Sequence, residues 1–197
     1  MTGSARAAAL AAGAGGTAVV AALPEPSLPT HMAAHALLVS VAAPLVAYGL
    51  ILPRAVRARF ARRPPPPVVL WLVFVGAQWA FHVGPLFRRA VDDPVLHQVE
   101  HAVFIVTAVG FWLPLVGSAP FRRALGGPGR TLYAFLALPA TDLVGLWFMA
   151  SGRSAAGTAM VAAMLPLAAA AFGVTWSWLA REEESAVRWE RFGGSPG

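Results

Sequence analysis

The sequence predicts an all-α, polytopic transmembrane helical bundle: five core helices plus an N-terminal segment that is either a signal or a sixth helix. The chain of 197 residues is 57% hydrophobic and only 12% charged. Its mean hydropathy of +0.63 is too high for a water-soluble domain of that length. The apolar residues also gather in runs that match the ~30 Å hydrocarbon layer, and arginines and prolines punctuate the runs. Although the net charge is +6, the basic residues do not interleave with aromatics on a soluble face. They read as orientation signals in a lipid bilayer, and no nucleic-acid partner is expected. With no cysteine in the chain, disulfides, thiolate ligands and iron-sulfur clusters are excluded. A metal site has only imidazole, carboxylate, thioether and backbone to draw on.

Residues 1–23 form a signal-like or first transmembrane segment: an apolar run follows Arg6, and Val20-Ala21-Ala22 resembles a signal-peptidase site. Residues 24–30, beginning Pro24-Glu25-Pro26, are a Pro-rich linker that cannot continue a helix. Thr30 is the expected N-cap of a span from His31 to Leu52, about 33 Å long at 1.5 Å per residue. Arg54, Arg57, Arg59, Arg62 and Arg63 and four prolines precede the second span, Val68 to Leu86. A short connection ends in Asp93 as N-cap with Pro94 in the first turn, opening the third span to Val116. The fourth span is Thr131 to Ala150 and the fifth Ala156 to Ala180. The five-helix domain thus occupies residues 31–181, and residues 182–197 form a charged tail.

Alternating these spans puts Arg6, the five arginines after the first core span, Arg122, Arg123, Arg130, Arg181, Arg188 and Arg191 on one side. Only Arg88, Arg89 and Arg153 fall on the other. The positive-inside rule then makes the first side, with the C-terminus, cytoplasmic. It also places His31 and His35, His82, and His97 and His101 at the extracytoplasmic ends of three helices. The pairs 31/35 and 97/101 have i, i+4 spacing, which sets two imidazoles on one helix face. Polar groups in lipid face the bundle interior, and imidazole is the commonest metal ligand, so the five rings are expected to build one metal site. Met32, Met149, Met160 and Met164 lie at the same level, and thioethers select copper(I). Of these, Met160 and Met164 are the expected soft ligands. Histidine and methionine without cysteine point to copper before zinc.

Three motifs carry a resemblance: His31-Met32-Ala33-Ala34-His35, Phe81-His82-Val83-Gly84-Pro85-Leu86-Phe87, and His97-Gln98-Val99-Glu100-His101-Ala102-Val103-Phe104. In this order on a helical frame, over residues 31 to 184, they resemble the multi-pass CtaG family of cytochrome c oxidase assembly factors. The resemblance implies a factor of the bacterial plasma membrane that supports maturation of haem-copper oxidases, with copper as cargo. Its partners would be oxidase subunits and a copper donor protein. The late segment departs from the family's acidic-Gln stretch and Met-Trp pair, reading Ser154-Ala155-Ala156-Gly157-Thr158-Ala159-Met160-Val161 here.

The chain is therefore expected not to be an enzyme, with two alternatives. His97-Gln98-Val99-Glu100-His101 fits the H-x-x-E-H pattern of zinc hydrolases, in which Glu100 would be general base. That reading lacks a third ligand, because the downstream glutamates Glu182, Glu183, Glu184 and Glu190 fall across the membrane. Glu100 is instead expected to orient or neutralise an imidazole. Histidines from separate helices also ligate haem in membrane electron carriers. Asp142, near the middle of the fourth span, costs about 3 kcal/mol if unpaired and is expected to join a network with Thr141 or Gln78. Pro44, Pro114, Pro139 and Pro166 should kink four spans.

Overall fold

The computed structural model describes residues 3–25, 27–50, 58–59, 61–117, 121 and 124–191. All regular structure among them is helical. Helix α1 covers Gly3–Ala22, α2 Leu28–Leu37, and a π-helical turn Leu38–Ala42 joins α2 to α3, Ala43–Gly49. Then follow α4 Pro67–His82, α5 Pro85–Asp92, α6 Pro94–Val116, α7 Gly127–Ala150, α8 Ser154–Ala163 and α9 Leu165–Arg191. Five continuous or nearly continuous runs are long and apolar enough to cross a membrane: Gly3–Ala22, Leu28–Gly49, Pro94–Val116, Gly127–Ala150 and Ser154–Arg191. The bent pair α4 and α5 makes a sixth. The chain is thus an all-α polytopic bundle. Arg54, Arg57, Arg122 and Arg123 lie outside the described residues.

The first helix packs as part of the bundle. A Cβ on Gly49 would come within 2.6 Å of the Arg6 carbonyl, and one on Gly13 within 2.8 Å of the Val46 amide. The two backbones are therefore in direct contact, the small-residue packing that membrane helices use where no hydrophobic force separates helix from lipid. Arg6 lies over the Tyr48 ring at the same end.

The second run begins three residues before the expected start. Ser27, not Thr30, is the N-cap, and Thr30 closes a capping box by accepting from the Ser27 amide at 3.1 Å. The π turn follows from Pro44. The Ala43 amide bonds the Leu38 carbonyl, so the next bond in this register would require an N–H on Pro44, which has none. The Val39 carbonyl left over accepts the indole N–H of Trp112 from α6 at 2.8 Å. Pro166 has the matching effect between α8 and α9, where the helix breaks at Met164. There the Ala163 carbonyl takes the Ser40 hydroxyl from inside the π turn. The two proline-induced irregularities are therefore bonded to each other.

The second expected span is shorter than predicted. Helix α4 stops at His82, and α5 leaves at 71°, because Gly84 adopts φ +95 and Pro85 follows it. The connection expected after Leu86 is thus a helix that buries Phe87 and Ala90 and exposes Arg88 and Arg89. Asp93 caps α6 as expected, accepting from Val95 and Leu96. Helices α4 and α6 pack together and α7 closes on α4, α8 and α9. The rings of Phe74, Phe111 and Tyr133 stack at centroid distances of 4.5 and 5.0 Å in the centre. The expected network around Asp142 is not formed. Thr141 bonds carbonyls of its own helix, and the Asp142 Oδ1 and Gln78 Nε2 atoms have no hydrogen-bond partner.

Candidate metal centre

All five histidines meet at one end of the bundle. Helix α2 starts there, α4 ends there and α6 starts there, so three short motifs distant in sequence become one cluster. Successive ring centroids lie 4.1 Å apart for His31 and His35, 5.1 Å for His31 and His97, 4.4 Å for His97 and His101, and 5.3 Å for His35 and His82. His31, His35, His82 and His101 are buried, and His97 keeps 22% of its side chain exposed at the mouth.

Two carboxylates stand among the rings. Glu100, nearly two turns into α6 and fully buried, points Oε2 at His31 Nε2 (3.8 Å) and Oε1 at His35 Nε2 (3.9 Å). Glu25 arrives from the linker between α1 and α2, a residue to which the sequence reading assigned no role. Its Oε2 lies 2.6 Å from His31 Nδ1 and 3.3 Å from His97 Nε2, and its Oε1 3.5 Å from His101 Nε2. The signal that could have found it is small: Glu25 is the first acidic residue of the chain and stands between two prolines immediately before the first histidine helix. Burial pushes the Glu25 carboxyl above its ordinary range, against the opposing pull of His97.

The donor arithmetic is lopsided. Glu25 Oε1, His31 Nε2, His35 Nε2, both Glu100 oxygens and both His101 ring nitrogens are buried without a hydrogen-bond partner. Buried polar atoms are otherwise almost always satisfied, and every carboxylate or pyridine-type nitrogen in this set offers a lone pair. Their spacing suits a cation. Tetrahedral ligands at the 2.0–2.1 Å bond lengths of nitrogen and oxygen donors stand about 3.3 Å apart; four pairs here lie at 3.3 to 3.9 Å, whereas His31 Nδ1 and Glu25 Oε2, at 2.6 Å, are hydrogen-bonded to each other. Two sets have ligand atoms within 4.8 Å of one another: Glu25, His31, His97 and His101, and His31, His35 and Glu100. His31 is common to both.

His82 sits behind this cluster, fully buried, with Nδ1 donating to the Gln78 carbonyl at 2.7 Å. That bond fixes the tautomer and leaves Nε2 as the lone pair of the neutral ring. His35 Nδ1 lies 3.2 Å from it. Phe104 aligns both rings: it stacks on His82 at 4° between planes and meets His35 edge-on at 4.7 Å. Met160 and Met164 come to the same end of the bundle as His35 and His82. They line a pocket of about 20 Å³ beneath His35 and His82, beside Met32 and Thr141. A groove of about 400 Å³ along Glu25, Leu28, His31, Val91, Pro94 and His97 opens the cluster to the surface.

No curated protein and no solved structure matches the chain. Residues 5–161, from the first turns of α1 to the end of α8, match a family described as cytochrome c oxidase caa3 assembly factor (Caa3_CtaG). The match includes α1, which the three histidine motifs alone did not reach, and it contains all five histidines, both carboxylates and Met160. The chain is a multi-pass membrane member of the cytochrome c oxidase caa3 assembly factor family.

Proposed function

We propose that the chain is a copper-handling assembly factor for a haem-copper cytochrome oxidase, taking up its cargo ion at the histidine–carboxylate cluster. The observation that carries this reading is the set of buried carboxylate oxygens and imidazole nitrogens left without hydrogen-bond partners among two helices and one linker. A bundle that leaves Glu25 Oε1, both Glu100 oxygens, His31 Nε2, His35 Nε2 and the His101 ring buried and unpartnered in one cluster is arranged for a cation. Imidazole binds either oxidation state of copper, and the absence of cysteine favours copper over a structural zinc site. The groove beside His31 and His97 supplies an entry.

The charge distribution supports an outward-facing site in the bacterial plasma membrane. Arg6, Arg62, Arg63, Arg130, Arg181, Arg188 and Arg191 lie at the bundle end away from the histidines, whereas Arg88, Arg89 and Arg153 lie at the histidine end. Positive-inside orientation then places the C-terminus in the cytoplasm and the cluster towards the extracytoplasmic face. A copper donor protein and oxidase subunits would meet the chain there.

The arrangement also suggests how an ion moves. His31 belongs to both ligand sets, with Nδ1 towards Glu25 and Nε2 towards Glu100, so an ion that exchanges Glu25, His97 and His101 for His35 and Glu100 stays beside the same ring while the ring proton moves to the nitrogen it vacates. Shared ligation keeps the cargo exchangeable, as transfer requires.

The zinc-hydrolase reading gains one observation: Glu25 supplies the third ligand for His97 and His101 that the downstream sequence lacks. In that reading Glu100 would activate water, but both its oxygens are enclosed between His31, His35 and His97, away from the groove. Haem ligation fits less well, since imidazoles spaced at 4.1 to 5.3 Å leave no slot for a macrocycle.

The deciding experiment is metal analysis of the purified full chain after copper(II) exposure, beside a His31→Ala, His101→Ala double variant, with oxidase activity followed in cells carrying each. Copper in the wild type alone, with oxidase activity lost in the variant, is expected. Equal copper in both would remove the reading.

A further inference from the structure

The pocket beneath the cluster has a different chemistry from the cluster itself. Met32, His35, Gln78, His82, Met160 and Met164 line it, and no carboxylate does. Its volume of about 20 Å³ holds one water-sized guest. It exists because two helices are irregular at the same level. The π turn of Leu38–Ala42 follows Met32 and His35, and the Pro166 break follows Met160, with Met164 as the C-cap of α8. The Ser40 to Ala163 hydrogen bond ties those two irregularities together.

The pocket also has a lone pair, on His82 Nε2, which accepts from His35 Nδ1–H and becomes available to an ion when that proton moves to His35 Nε2. The Gln78 carbonyl holds the proton of His82 on Nδ1, so Nε2 faces His35 Nδ1 at 3.2 Å. Two nitrogen ligands at opposite sides of one ion stand about 4 Å apart at 2.0–2.1 Å bonds. The rings need to part by less than 1 Å, and the pocket lies beside them.

We propose that this pocket is a second cation stop, specific for a soft monovalent ion of the copper(I) or silver(I) class, with His35 and His82 as imidazole ligands and the methionines as thioether ligands. The proposal rests on the reading of the outer cluster as the uptake site. Thioethers select soft ions over zinc or copper(II), and a pocket without a carboxylate leaves a second positive charge uncompensated. The outer cluster, with two carboxylates, has the opposite preference.

His35 links the stops as His31 links the two outer sets. It belongs to the set with His31 and Glu100, and it lines the pocket. A copper(I) ion on the outer cluster would pass inward by exchanging one ligand group for the next, with His35 moving its proton from Nδ1 to Nε2 as the ligating nitrogen changes from the one facing Glu100 to the one facing His82, and with no change of oxidation state.

The test uses the full chain in detergent with silver(I), copper(I) and zinc(II) as separate probes. X-ray absorption of the copper(I)-loaded wild type should show sulfur neighbours together with nitrogen. In a Met160→Leu, Met164→Leu variant, which nearly conserves volume, the sulfur signal should fall to what Met32 supplies. Silver(I) affinity should drop about tenfold or more, the scale on which metal sites respond to lost support, while zinc(II) affinity stays at the wild-type value and reports an intact fold. A copper(I) shell of nitrogen and oxygen alone in the wild type overturns the proposal, and so does wild-type silver(I) affinity in the double variant. Should the double variant fail to fold, the wild-type spectrum still decides. Failure of the outer cluster is distinguishable: the wild type would then bind silver(I) with sulfur neighbours yet take up no zinc(II).

Discussion

Glu25 Oε2 stands 2.6 Å from His31 Nδ1, closer than any other carboxylate–imidazole pair in the cluster. The contact ties the linker after α1 to the first turn of α2 and turns a Pro-flanked connection into part of the site. It also makes Glu25 the carboxylate nearest the groove.

Glu25→Gln should separate stability from metal affinity. Burial raises the folded-state value of this carboxyl above its ordinary 4.5, so the folded chain holds the proton more tightly than the unfolded chain. Its contribution is favourable at acid pH and is lost as pH rises through the raised value. The metal-free variant should therefore melt above the wild type near neutral pH, with the gap closing as pH falls below about 4.5. Its affinity for zinc(II) or copper(II) should fall about 10- to 100-fold. Thermal melts across a pH series and metal titrations measure both.

Phe104→Leu should weaken metal binding without unfolding the bundle. The ring stacks on His82 and meets His35 edge-on, so its loss frees both imidazoles to rotate. A decrease in affinity of about tenfold, with a stability cost of about 1–3 kcal/mol for the lost packing, is expected. Unchanged affinity would show that the ring does not position its neighbours.

Trp112→Phe tests the π turn. The variant keeps an aromatic ring in a nearly fully buried position but removes the N–H that satisfies the Val39 carbonyl. A loss of about 1–3 kcal/mol is expected, the cost of an unsatisfied buried acceptor. Denaturation in detergent measures it, and a loss below a few tenths would indicate that the carbonyl finds another donor.

Gly49→Leu tests whether α1 and the site are coupled. Any side chain there meets the backbone of Arg6 and Leu10, so α1 must separate from α3, and the linker carrying Glu25 moves with it. Faster proteolytic cleavage within residues 23–27 and weaker zinc(II) binding are expected together. Cleavage without loss of affinity would uncouple them.

The sequence disclosed the fold through apolar run length, and it disclosed the histidines through i, i+4 pairs at helix ends, because both are local, periodic signals. It did not disclose Glu25, whose place depends on how the linker folds back from α1, a contact no periodicity encodes. The N-cap was misplaced because Ser27 and Thr30 are both good caps and their reciprocal bonds choose between them. The second span was drawn too long because Leu86 and Phe87 are apolar, although the Gly84-Pro85 pair marks the bend in hindsight. Met160 and Met164 line the pocket under His35 and His82. No carboxylate lines that pocket, a division that depends on where α8 breaks and that apolar periodicity does not encode.

The π turn sets the phase of everything before it. Such a turn fits one additional residue into a helix, equivalent to about 100° of rotation, so the facing of His31 and His35 relative to the α3 surface that meets α1 depends on a single residue count. Removing one position between Leu38 and Ala42 would wind this stretch into an ordinary helix and swing that imidazole pair away from its counterparts on α4 and α6. Length there is as much a determinant of the centre as the identity of any ligand.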